Sequence, residues 1–347
     1  MYFASDNGGP VPPQVLDRLA TANAGHADAY GADALSQEVT ARLRALFEAP
    51  EAEVFLVATG TAANVLALST LCQPFQTVFC SPQAHIHMDE CNAPEFFTGG
   101  AKLTLVPGSD RMSPDALRAT ILGEETRGVH GPQRGPVSLT QVTEYGNVYG
   151  LDDLRALTAV ASEFGLPVHL DGARFANACV ALGCTPAEMT WKAGVDVAVF
   201  GGTKNGLMGV EAVIFFDPAK AAAFGYRRKR GAQLFSKHRY LAAQMAAYLQ
   251  DDLWRDLAER ANARCAELVD GLKGIAEPRN DARANMLFAA MPRAVHKRLL
   301  AGGAQYHLWG DSLDGDGPDE MLTARLVCDW SLDPAAVKAF VDLARAG

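Results

Sequence analysis

The chain has little of three features that mark particular classes of protein: long apolar runs, blocks of one charge and paired cysteines. No apolar run approaches the roughly 18 residues that span a bilayer, and no basic segment followed by an apolar stretch opens the sequence. We therefore predict a cytoplasmic protein that does not interact with membranes.

Long runs of residues with the same charge are also scarce. The formal net charge is −9, from 40 acidic and 31 basic residues, and the one basic cluster lies at residues 227–230. Four positive charges on a helix are more typical of a solvated face or an anion site than of a nucleic-acid contact. We expect no nucleic-acid partner, and a phosphate-bearing ligand is the better use for that cluster.

Seven cysteines, an odd number, are scattered without the CxxC spacing of zinc sites. This suits reduced thiols rather than a disulfide framework. Cys179 and Cys184 are a weak metal signal, and we interpret them as core or surface thiols.

The acidic, glycine-rich segment 310–319 does not match the ligand order of an EF-hand loop. We expect neither disulfides nor metal, and a solvated loop or hairpin at 310–319.

What the sequence does contain is an alternation of short apolar runs and helical stretches. Runs rich in Val, Leu and Phe, followed by apolar residues at three- and four-residue spacing, form the βαβ pattern of a mainly parallel sheet covered by helices. Helices are predicted at 62–71 and 151–164, the second ended by Gly165. The predicted strands are 54–58, 77–80, 102–106, 137–143, 167–171, 195–201 and 211–216.

The pattern changes after about residue 217. Helical stretches are predicted at 239–252 and 253–273, and short apolar runs follow at 285–290 and 324–328. Because 347 residues exceed the size at which one hydrophobic core usually stops growing, we expect two domains. The predicted division is an N-terminal arm at 1–15, a large domain at 16–247 and a smaller α+β domain at 248–347.

Polar residues follow three predicted strands directly, at the edge where open parallel sheets bind ligands. They are Thr59-Gly60-Thr61, Asp171-Gly172-Ala173-Arg174 and Gly202-Thr203-Lys204. The first, a turn into an apolar helix, presents free N–H groups to an anion such as phosphate. Asp171 either forms a salt bridge with Arg174 or faces a protonated ring nitrogen. Lys204, at a strand end beside glycines, is a candidate nucleophile.

The three segments together are more specific than any one of them. Pyridoxal 5′-phosphate (PLP) needs a phosphate cup, a carboxylate on its pyridine nitrogen and a lysine that holds it as a Schiff base. The turn at 59–61, Asp171 and Lys204 supply the groups that a PLP site of the aspartate-aminotransferase fold requires. We therefore predict a PLP enzyme whose large domain binds the cofactor.

Longer motifs narrow this prediction. His-Leu-Asp-Gly-Ala-Arg at 169–174 and Gly-Thr-Lys-Asn-Gly at 202–206 are together highly specific. The shorter matches are Ser5-Asp6-Asn7, Ala29-Tyr30-Gly31, residues 81–85 and Arg325-Leu326-Val327. On these motifs the chain resembles the bacterial low-specificity L-threonine aldolases, which are PLP-dependent enzymes with the transferase fold called fold type I.

The resemblance implies roles for residues around the cofactor. Lys204 would form the Schiff base, Asp171 would bind the pyridine nitrogen, and His85 would stack on the ring. The full set that would contact PLP is Gly60, Thr61, His85, Asp171, Arg174, Lys204 and Lys237.

The resemblance also implies a substrate site. Ser5, Arg174 and Arg325 would bind the substrate carboxylate, and His130, in the glycine-rich loop before the fourth strand, would approach the β-hydroxyl. The base that removes the hydroxyl proton would be His85, or a water held by His85 and His130. Either histidine could instead be an ordinary loop residue satisfied by its neighbours.

The family is usually tetrameric, with active sites shared across a dimer. The resemblance then implies that Tyr30 contacts the substrate and Lys237 the cofactor from the neighbouring subunit, although Lys237 could equally be a surface lysine. The chain departs from the commoner Ser-Lys-Gly-Leu pattern by reading Thr-Lys-Asn-Gly around Lys204, and it has Tyr145-Gly146-Asn147 where many relatives have His-Asn. These departures bear on substrate preference rather than on the cofactor.

The implied activity is that of a carbon–carbon lyase. The reaction is retro-aldol cleavage of L-threonine, L-allo-threonine and related β-hydroxy-α-amino acids to glycine and an aldehyde. Other activities of the same fold stay open, namely phenylserine aldolase, hydroxyaspartate aldolase and aminotransferase. A non-catalytic PLP-binding regulatory protein is a further alternative.

Overall fold

The central sheet contains the seven strands that the alternating pattern predicts. The computed structural model describes residues 1–346. The strands are β1 (Glu53–Val57), β2 (Gln76–Cys80), β3 (Lys102–Leu105), β4 (Gln133–Thr140), β5 (Val168–Asp171), β6 (Val197–Gly201) and β7 (Glu211–Phe215). Their order across the sheet is β1-β7-β6-β5-β4-β2-β3. The boundaries differ from the prediction by a few residues, most at β4, where polar residues begin the strand.

All neighbouring strands from β3 to β6 run parallel, and β7 runs antiparallel between β6 and β1. β1 therefore points the same way as β6. The prediction of an α/β fold with a mainly parallel sheet is confirmed. Six strands end at one edge of the sheet, and β7 begins there.

Both faces of the sheet are buried, as expected when helices cover a parallel sheet on each side. In β6, Val197 and Val199 belong to one hydrophobic cluster, whereas Ala198 and Phe200 belong to another. Alternate side chains of a strand point to opposite faces, so the two clusters lie on opposite sides of the sheet. No helix among residues 1–346 is long and apolar enough to cross a membrane.

The helices of the first part of the chain are α1 (Pro13–Ala22), α2 (Ala34–Leu46), α3 (Gly60–Leu71), α4 (His85–Met88), α5 (Ala93–Thr98), α6 (Pro114–Gly123), α7 (Leu151–Glu163), α8 (Phe175–Leu182) and α9 (Pro186–Met189). The later helices are α10 (Phe224–Arg230), α11 (Arg239–Leu249), α12 (Leu253–Gly271), α13 (Arg293–Ala301) and α14 (Pro334–Arg345). Gly165 follows α7 at φ +66°, a left-handed conformation that ends the helix as predicted.

One helix boundary was wrong. The stretch 239–252 was predicted as a single helix, but α11 ends at Leu249. Asp251 and Asp252 adopt left-handed backbone angles, at φ 49° and φ 54°. These angles interrupt the helical conformation, so the chain changes direction before α12. Aspartate tolerates this conformation better than most side chains, because its carboxylate can bond to nearby backbone.

A second, four-stranded sheet lies in the C-terminal part of the chain, as the change of pattern after residue 217 predicts. Its strands are β8 (Glu277–Pro278), β9 (Met286–Pro292), β10 (His307–Leu308) and β11 (Met321–Val327), in the order β10-β11-β9-β8. The first residues of the chain join this part. Phe3 is fully buried against Phe340, with ring centroids 4.8 Å apart, and its carbonyl accepts a hydrogen bond from Val327 N.

The two sheets do not have wholly separate cores. Met286 and Val327, from the second sheet, belong to the hydrophobic cluster of the first sheet. We propose that the domain division near residue 248 holds as predicted, with the break at Asp251 and Asp252 as its physical boundary. The segment 310–319 contains no helix or strand.

We expect Phe200→Ala to be among the most destabilising single changes. Phe200 is fully buried, with ring centroids 5.4 to 5.8 Å from Phe175, Phe47, Tyr248 and Trp254. Removing such a ring leaves a cavity that costs about 3–5 kcal/mol of unfolding free energy. Chemical denaturation at fixed protein and PLP concentrations measures it. Phe75→Ala, at a ring that is 65% exposed, is the control, and a loss at Phe200 as small as the control's would contradict the prediction.

Candidate active site

The turn after β1 leads into α3 with its first amide groups free. Thr59 caps the helix, and its Oγ1 accepts a hydrogen bond from Ala62 N at 3.2 Å. Among residues 1–346, the N–H groups of Gly60 and Thr61 have no partner, which is the usual state of the first turn of a helix. A Cβ on Gly60 would meet no atom within 4 Å, so the space in front of this turn is open. This arrangement suits a phosphate group.

Asp171, at the end of β5, is held by hydrogen bonds and not by Arg174. Its Oδ2 accepts from Asn64 Nδ2 at 2.9 Å, and its Oδ1 accepts from Ala173 N at 3.0 Å. The side chain is 3% exposed. The alternative that Asp171 forms a salt bridge with Arg174 is therefore wrong, and the carboxylate is oriented independently of any arginine.

Lys204 follows β6 in a tight turn, Thr203–Asn205. The next residue, Gly206, has φ +104°, and a Cβ there would press on Pro12 and Trp330 at 3.0 to 3.2 Å, so glycine is required. Asn205 explains part of the unusual Thr-Lys-Asn-Gly motif. Its buried Nδ2 donates to Tyr248 Oη at 2.7 Å and to the Trp254 carbonyl at 2.8 Å, which anchors the lysine turn to α11 and α12.

These three segments line one cleft of about 300 Å³ at the carboxyl edge of the sheet. The predicted residues brought together there are Gly60, Thr61, His85, Asp171 and Lys204. Asn7, Asn64 and Glu211 also line it. The open N–H groups, the oriented carboxylate and the lysine are the three groups that PLP requires, so the residues present fit this cofactor.

His85 begins α4, just after β2, and is backed by a buried carboxylate. Its Nδ1 lies 2.8 Å from Glu90 Oε1, and Glu90 Oε1 also accepts from Asn64 Nδ2 at 2.9 Å. The hydrogen bond to Glu90 raises the pKa of His85 against the opposing effect of burial. Burial raises the pKa of Glu90, although its hydrogen bonds to His85 and Asn64 lower it.

Arg174 forms a salt bridge with Asp6, a residue to which the sequence analysis had assigned no role. Its Nε and Nη2 donate to the two oxygens of Asp6 at 2.6 and 3.0 Å, and both side chains are almost fully buried. Burial would raise the pKa of Asp6, but the charges of Arg174 and Lys204 hold it below its ordinary value. Only Nη1 of Arg174 remains for a substrate.

Arg325 lies close to this pair on β11. Among residues 1–346 it makes no salt bridge, and its guanidinium lies over the ring of Trp309, 5.7 Å from the centroid. Burial lowers the pKa of Arg325, and the charge of Arg174 lowers it further. Two neighbouring guanidinium groups of which one lacks a carboxylate partner form a ready site for an anion. Ser5, next to Asp6, uses its hydroxyl oxygen to accept from Asn7 N at 3.1 Å.

Tyr30 and Lys237 lie outside the cleft, on an exposed face beside it. Tyr30 N donates to the Ser236 carbonyl at 3.0 Å, and the Tyr30 side chain is 51% exposed. Lys237 lines a shallow groove that shares Met208 and Gly209 with the cleft. Neither residue completes the site within one chain.

His130 is not brought to the cleft of its own chain. It is exposed and precedes β4, so it lies at the amino edge of the sheet, whereas Asp171 lies at the carboxyl edge, paired with Thr140. The eight residues of β4 separate these edges by about 26 Å. The predicted approach of His130 to the substrate hydroxyl is therefore wrong within the chain. The family resemblance alone had implied this role, and the position of His130 before β4 gave it no support.

Three polar residues of the site were missed. Asn64 is a lone amide inside the apolar helix α3, and Glu90 is a buried carboxylate that accepts from Asn64, 26 positions away. Glu211, at the start of β7, accepts from Gly202 N at 2.8 Å, and burial raises its pKa to about 7, although the hydrogen bond from Gly202 lowers it. A polar residue within a buried apolar segment was the signal available, since such groups need a partner.

Comparison with known proteins places the chain in a family. The model of the beta-eliminating lyase family matches residues 2–292. A low-specificity L-threonine aldolase of Pseudomonas aeruginosa is 43% identical over 341 residues, which cover 97% of this chain and 94% of that protein.

Two solved structures show the same fold. A threonine aldolase of Leishmania major superposes with a TM-score of 0.92 at 24% identity, covering 99% of this chain and 98% of the other. A structure described as SPT with PLP superposes with a TM-score of 0.72 at 18% identity, covering 100% and 87%. The family match and the 43% identity confirm the resemblance seen in the motifs. The chain belongs to the beta-eliminating lyase family, in which the low-specificity L-threonine aldolases are its relatives.

Proposed function

We propose that this protein is a PLP-dependent lyase that cleaves L-threonine and related β-hydroxy-α-amino acids to glycine and an aldehyde. The observation that carries the proposal is the meeting of Lys204, Asp171 and the first turn of α3 in one cleft. Relatives that match almost the whole chain and are named low-specificity L-threonine aldolases support the choice of reaction.

The chemistry that PLP supplies when bound is an electron sink for the carbanion left by cleavage of the Cα–Cβ bond. Lys204 would hold the cofactor covalently, and the amides of Gly60 and Thr61 would bind its phosphate. Asp171 would keep the ring nitrogen protonated. Because Asn64 and Ala173 already hold the carboxylate of Asp171, its orientation does not depend on the cofactor.

The substrate carboxylate would bind Arg325, with Nη1 of Arg174 and the hydroxyl of Ser5 beside it. Arg325 offers a planar fork of donors that has no carboxylate partner among residues 1–346, whereas Arg174 is oriented by Asp6. A bidentate grip would fix the rotation of the amino acid and so hold its Cα–Cβ bond in position for cleavage. His85 would accept the proton of the β-hydroxyl, since His130 does not reach the cleft of its own chain.

We also propose a cytoplasmic homo-oligomer, a tetramer, whose sites are shared between subunits. Tyr30 and Lys237 support this assembly, because both are exposed on the face next to the cleft and their loops are joined by a backbone hydrogen bond. A neighbouring subunit could present the same two side chains to this cleft, Tyr30 toward the substrate and Lys237 toward the cofactor.

We expect Arg325→Lys to lower kcat/KM for L-threonine strongly while leaving the absorbance of the bound cofactor unchanged. Lysine keeps the charge but loses the fork, and breaking a desolvated charge pair typically costs about 2–5 kcal/mol. Steady-state kinetics with a coupled aldehyde assay measures the loss. Arg279→Lys, at an exposed residue paired with Glu277, is the matched control and should behave like the parent. Parental efficiency in Arg325→Lys would remove this residue from the substrate site.

The function itself is tested by incubating the PLP-loaded protein with L-threonine, L-allo-threonine and L-phenylserine. We expect equimolar glycine and aldehyde from each substrate that is cleaved, and no activity in Lys204→Ala. Production of a keto acid, or consumption of a keto acid with transfer of the amino group, would instead identify an aminotransferase. A protein that binds PLP and converts none of these amino acids would contradict the proposal.

A further inference from the structure

A buried carboxylate lies behind His85, outside every motif that links this chain to its relatives. Glu90 follows α4, and its side chain is 0% exposed. Its Oε1 is 2.8 Å from His85 Nδ1 and 2.9 Å from Asn64 Nδ2. Burying a carboxylate costs free energy, which its hydrogen bonds offset only in part. A buried carboxylate at this position therefore suggests a role beyond packing.

Asn64 links this carboxylate to the one that faces the cofactor position. The two hydrogens of its side-chain amide point to Glu90 Oε1 and to Asp171 Oδ2, each at 2.9 Å. The reversed amide would place its oxygen between two carboxylates, where it would find no donor. The network therefore determines that Asn64 donates and that both carboxylates accept.

The hydrogen bond to Glu90 likewise determines which ring nitrogen of His85 carries the proton. An ionised Glu90 can only accept, so Nδ1 of His85 must be the donor in their 2.8 Å hydrogen bond. In the neutral ring the lone pair then lies on Nε2. The imidazole is 27% exposed and lines the cleft with Asp171 and Lys204, so Nε2 is the ring nitrogen left free to take a proton there.

We propose that Glu90 is a positioning residue for the cleavage reaction, which holds His85 in the tautomer with Nδ1 protonated and leaves Nε2 as the proton acceptor for the β-hydroxyl. The inference rests on the proposed function, because it assigns His85 as the base of that reaction. Through Asn64 the same carboxylate also supports the orientation of Asp171. One buried residue thus positions both the base and the partner of the ring nitrogen.

A pH dependence follows from the charges around His85. Glu90, Asp171 and Glu144 all raise the pKa of His85, Glu90 most strongly through its hydrogen bond, while burial lowers it. Nε2 must be unprotonated to accept a proton, so a raised pKa places the acid limb of the kcat/KM profile at higher pH. Removing the charge of Glu90 should lower the pKa of His85 and move that limb to lower pH.

The test compares the PLP-loaded parent with Glu90→Gln, Glu90→Asp and the control Glu95→Gln. Glu95 is the same residue type five positions along, and its side chain makes no hydrogen bond to the site. In Glu90→Gln we expect kcat to fall about 10- to 100-fold, as for carboxylates that orient metal-binding histidines. We expect its acid limb to move down by about one pH unit or more. Glu90→Asp should lie between Glu90→Gln and the parent, and Glu95→Gln should match the parent.

A second readout follows His85 directly and needs no turnover. NMR of protein labelled with ¹³C-histidine, with and without PLP, gives the pKa and tautomer of His85, whose signal is assigned by its loss in His85→Asn. In Glu90→Gln we expect a lower pKa and a mixture of tautomers. An unchanged His85 titration in Glu90→Gln would overturn the proposal, even if activity were lost, because the role of Glu90 would then be purely structural.

The remaining outcomes also test the proposal. If Glu90→Gln does not fold, Glu90→Asp carries the test, since its carboxylate is withdrawn by one methylene; a parental titration and a parental acid limb in that variant would overturn the proposal. If the parent cleaves no β-hydroxy amino acid, the proposed function fails. The NMR result would then still report whether Glu90 sets the tautomer of His85.

Discussion

Replacement of Lys204 by alanine should abolish both turnover and the yellow absorbance of the bound cofactor while the protein stays folded. Lys204 is the lysine of the cleft that also contains the free amides of α3 and the carboxylate of Asp171. Loss of a covalent catalytic group typically lowers kcat by on the order of 10⁴-fold or more. Absorbance spectroscopy and the aldehyde assay measure the two effects, and circular dichroism verifies the fold.

Borohydride reduction provides the direct check on Lys204. Reduction of the loaded parent followed by peptide mapping should place the cofactor on the peptide that contains Lys204. Lys220→Ala is the matched control, because Lys220 is partly exposed and paired with Asp196 at the opposite edge of the sheet. Label on a different lysine, or a yellow and active Lys204→Ala protein, would overturn the assignment.

Asp171→Asn should retain bound PLP but lose most of its turnover. An amide cannot hold the proton on the ring nitrogen, so the developing carbanion loses its electron sink. Removal of one such electrostatic partner typically lowers kcat by on the order of 10²- to 10³-fold. Asparagine keeps the shape of the side chain, but its single oxygen can accept only one of the two hydrogen bonds that Asp171 accepts from Asn64 and Ala173. Single-substrate kinetics at saturating PLP measures the effect.

The control for Asp171 is Asp196→Asn. Asp196 also lies at a strand end, where its Oδ2 accepts from Val168 N at 2.7 Å, but at the amino edge of the same sheet. Its replacement should leave kcat close to the parental value. A near-normal kcat in Asp171→Asn would show that the ring nitrogen needs no carboxylate, and Asp171 would leave the mechanism.

The sequence predicted those parts of the site that follow strands directly. Thr59-Gly60-Thr61, Asp171 and Lys204 were predicted as one site, because the carboxyl ends of parallel strands meet at one edge of a sheet. The structure brings these three segments into one cleft. The role of His130 came from the resemblance alone, and this residue precedes its strand and therefore lies at the other edge.

Hydrogen-bond partners were beyond the reach of sequence reasoning. A salt bridge of Arg174 with the nearby Asp171 was one of the two alternatives, but the partner of Arg174 is Asp6, 168 positions away. Likewise, nothing in the sequence joins Glu90 to Asn64 and Asp171. Such pairings depend on which side chains share a buried volume, and many remote residues could satisfy the same donor.

By itself, therefore, the sequence determined the α/β sheet, the order of its strands along the chain and the groups at their carboxyl ends, because periodicity and strand polarity are local properties. Only the tertiary structure decided the antiparallel insertion of β7 between β1 and β6, which brings Glu211 to the cleft. It alone also decided that Arg174 is paired with Asp6 while Arg325 makes no salt bridge within residues 1–346, and that Glu90 lies behind His85. The reason is physical: a buried charge must find a partner in space, and packing between distant segments decides which partner that is.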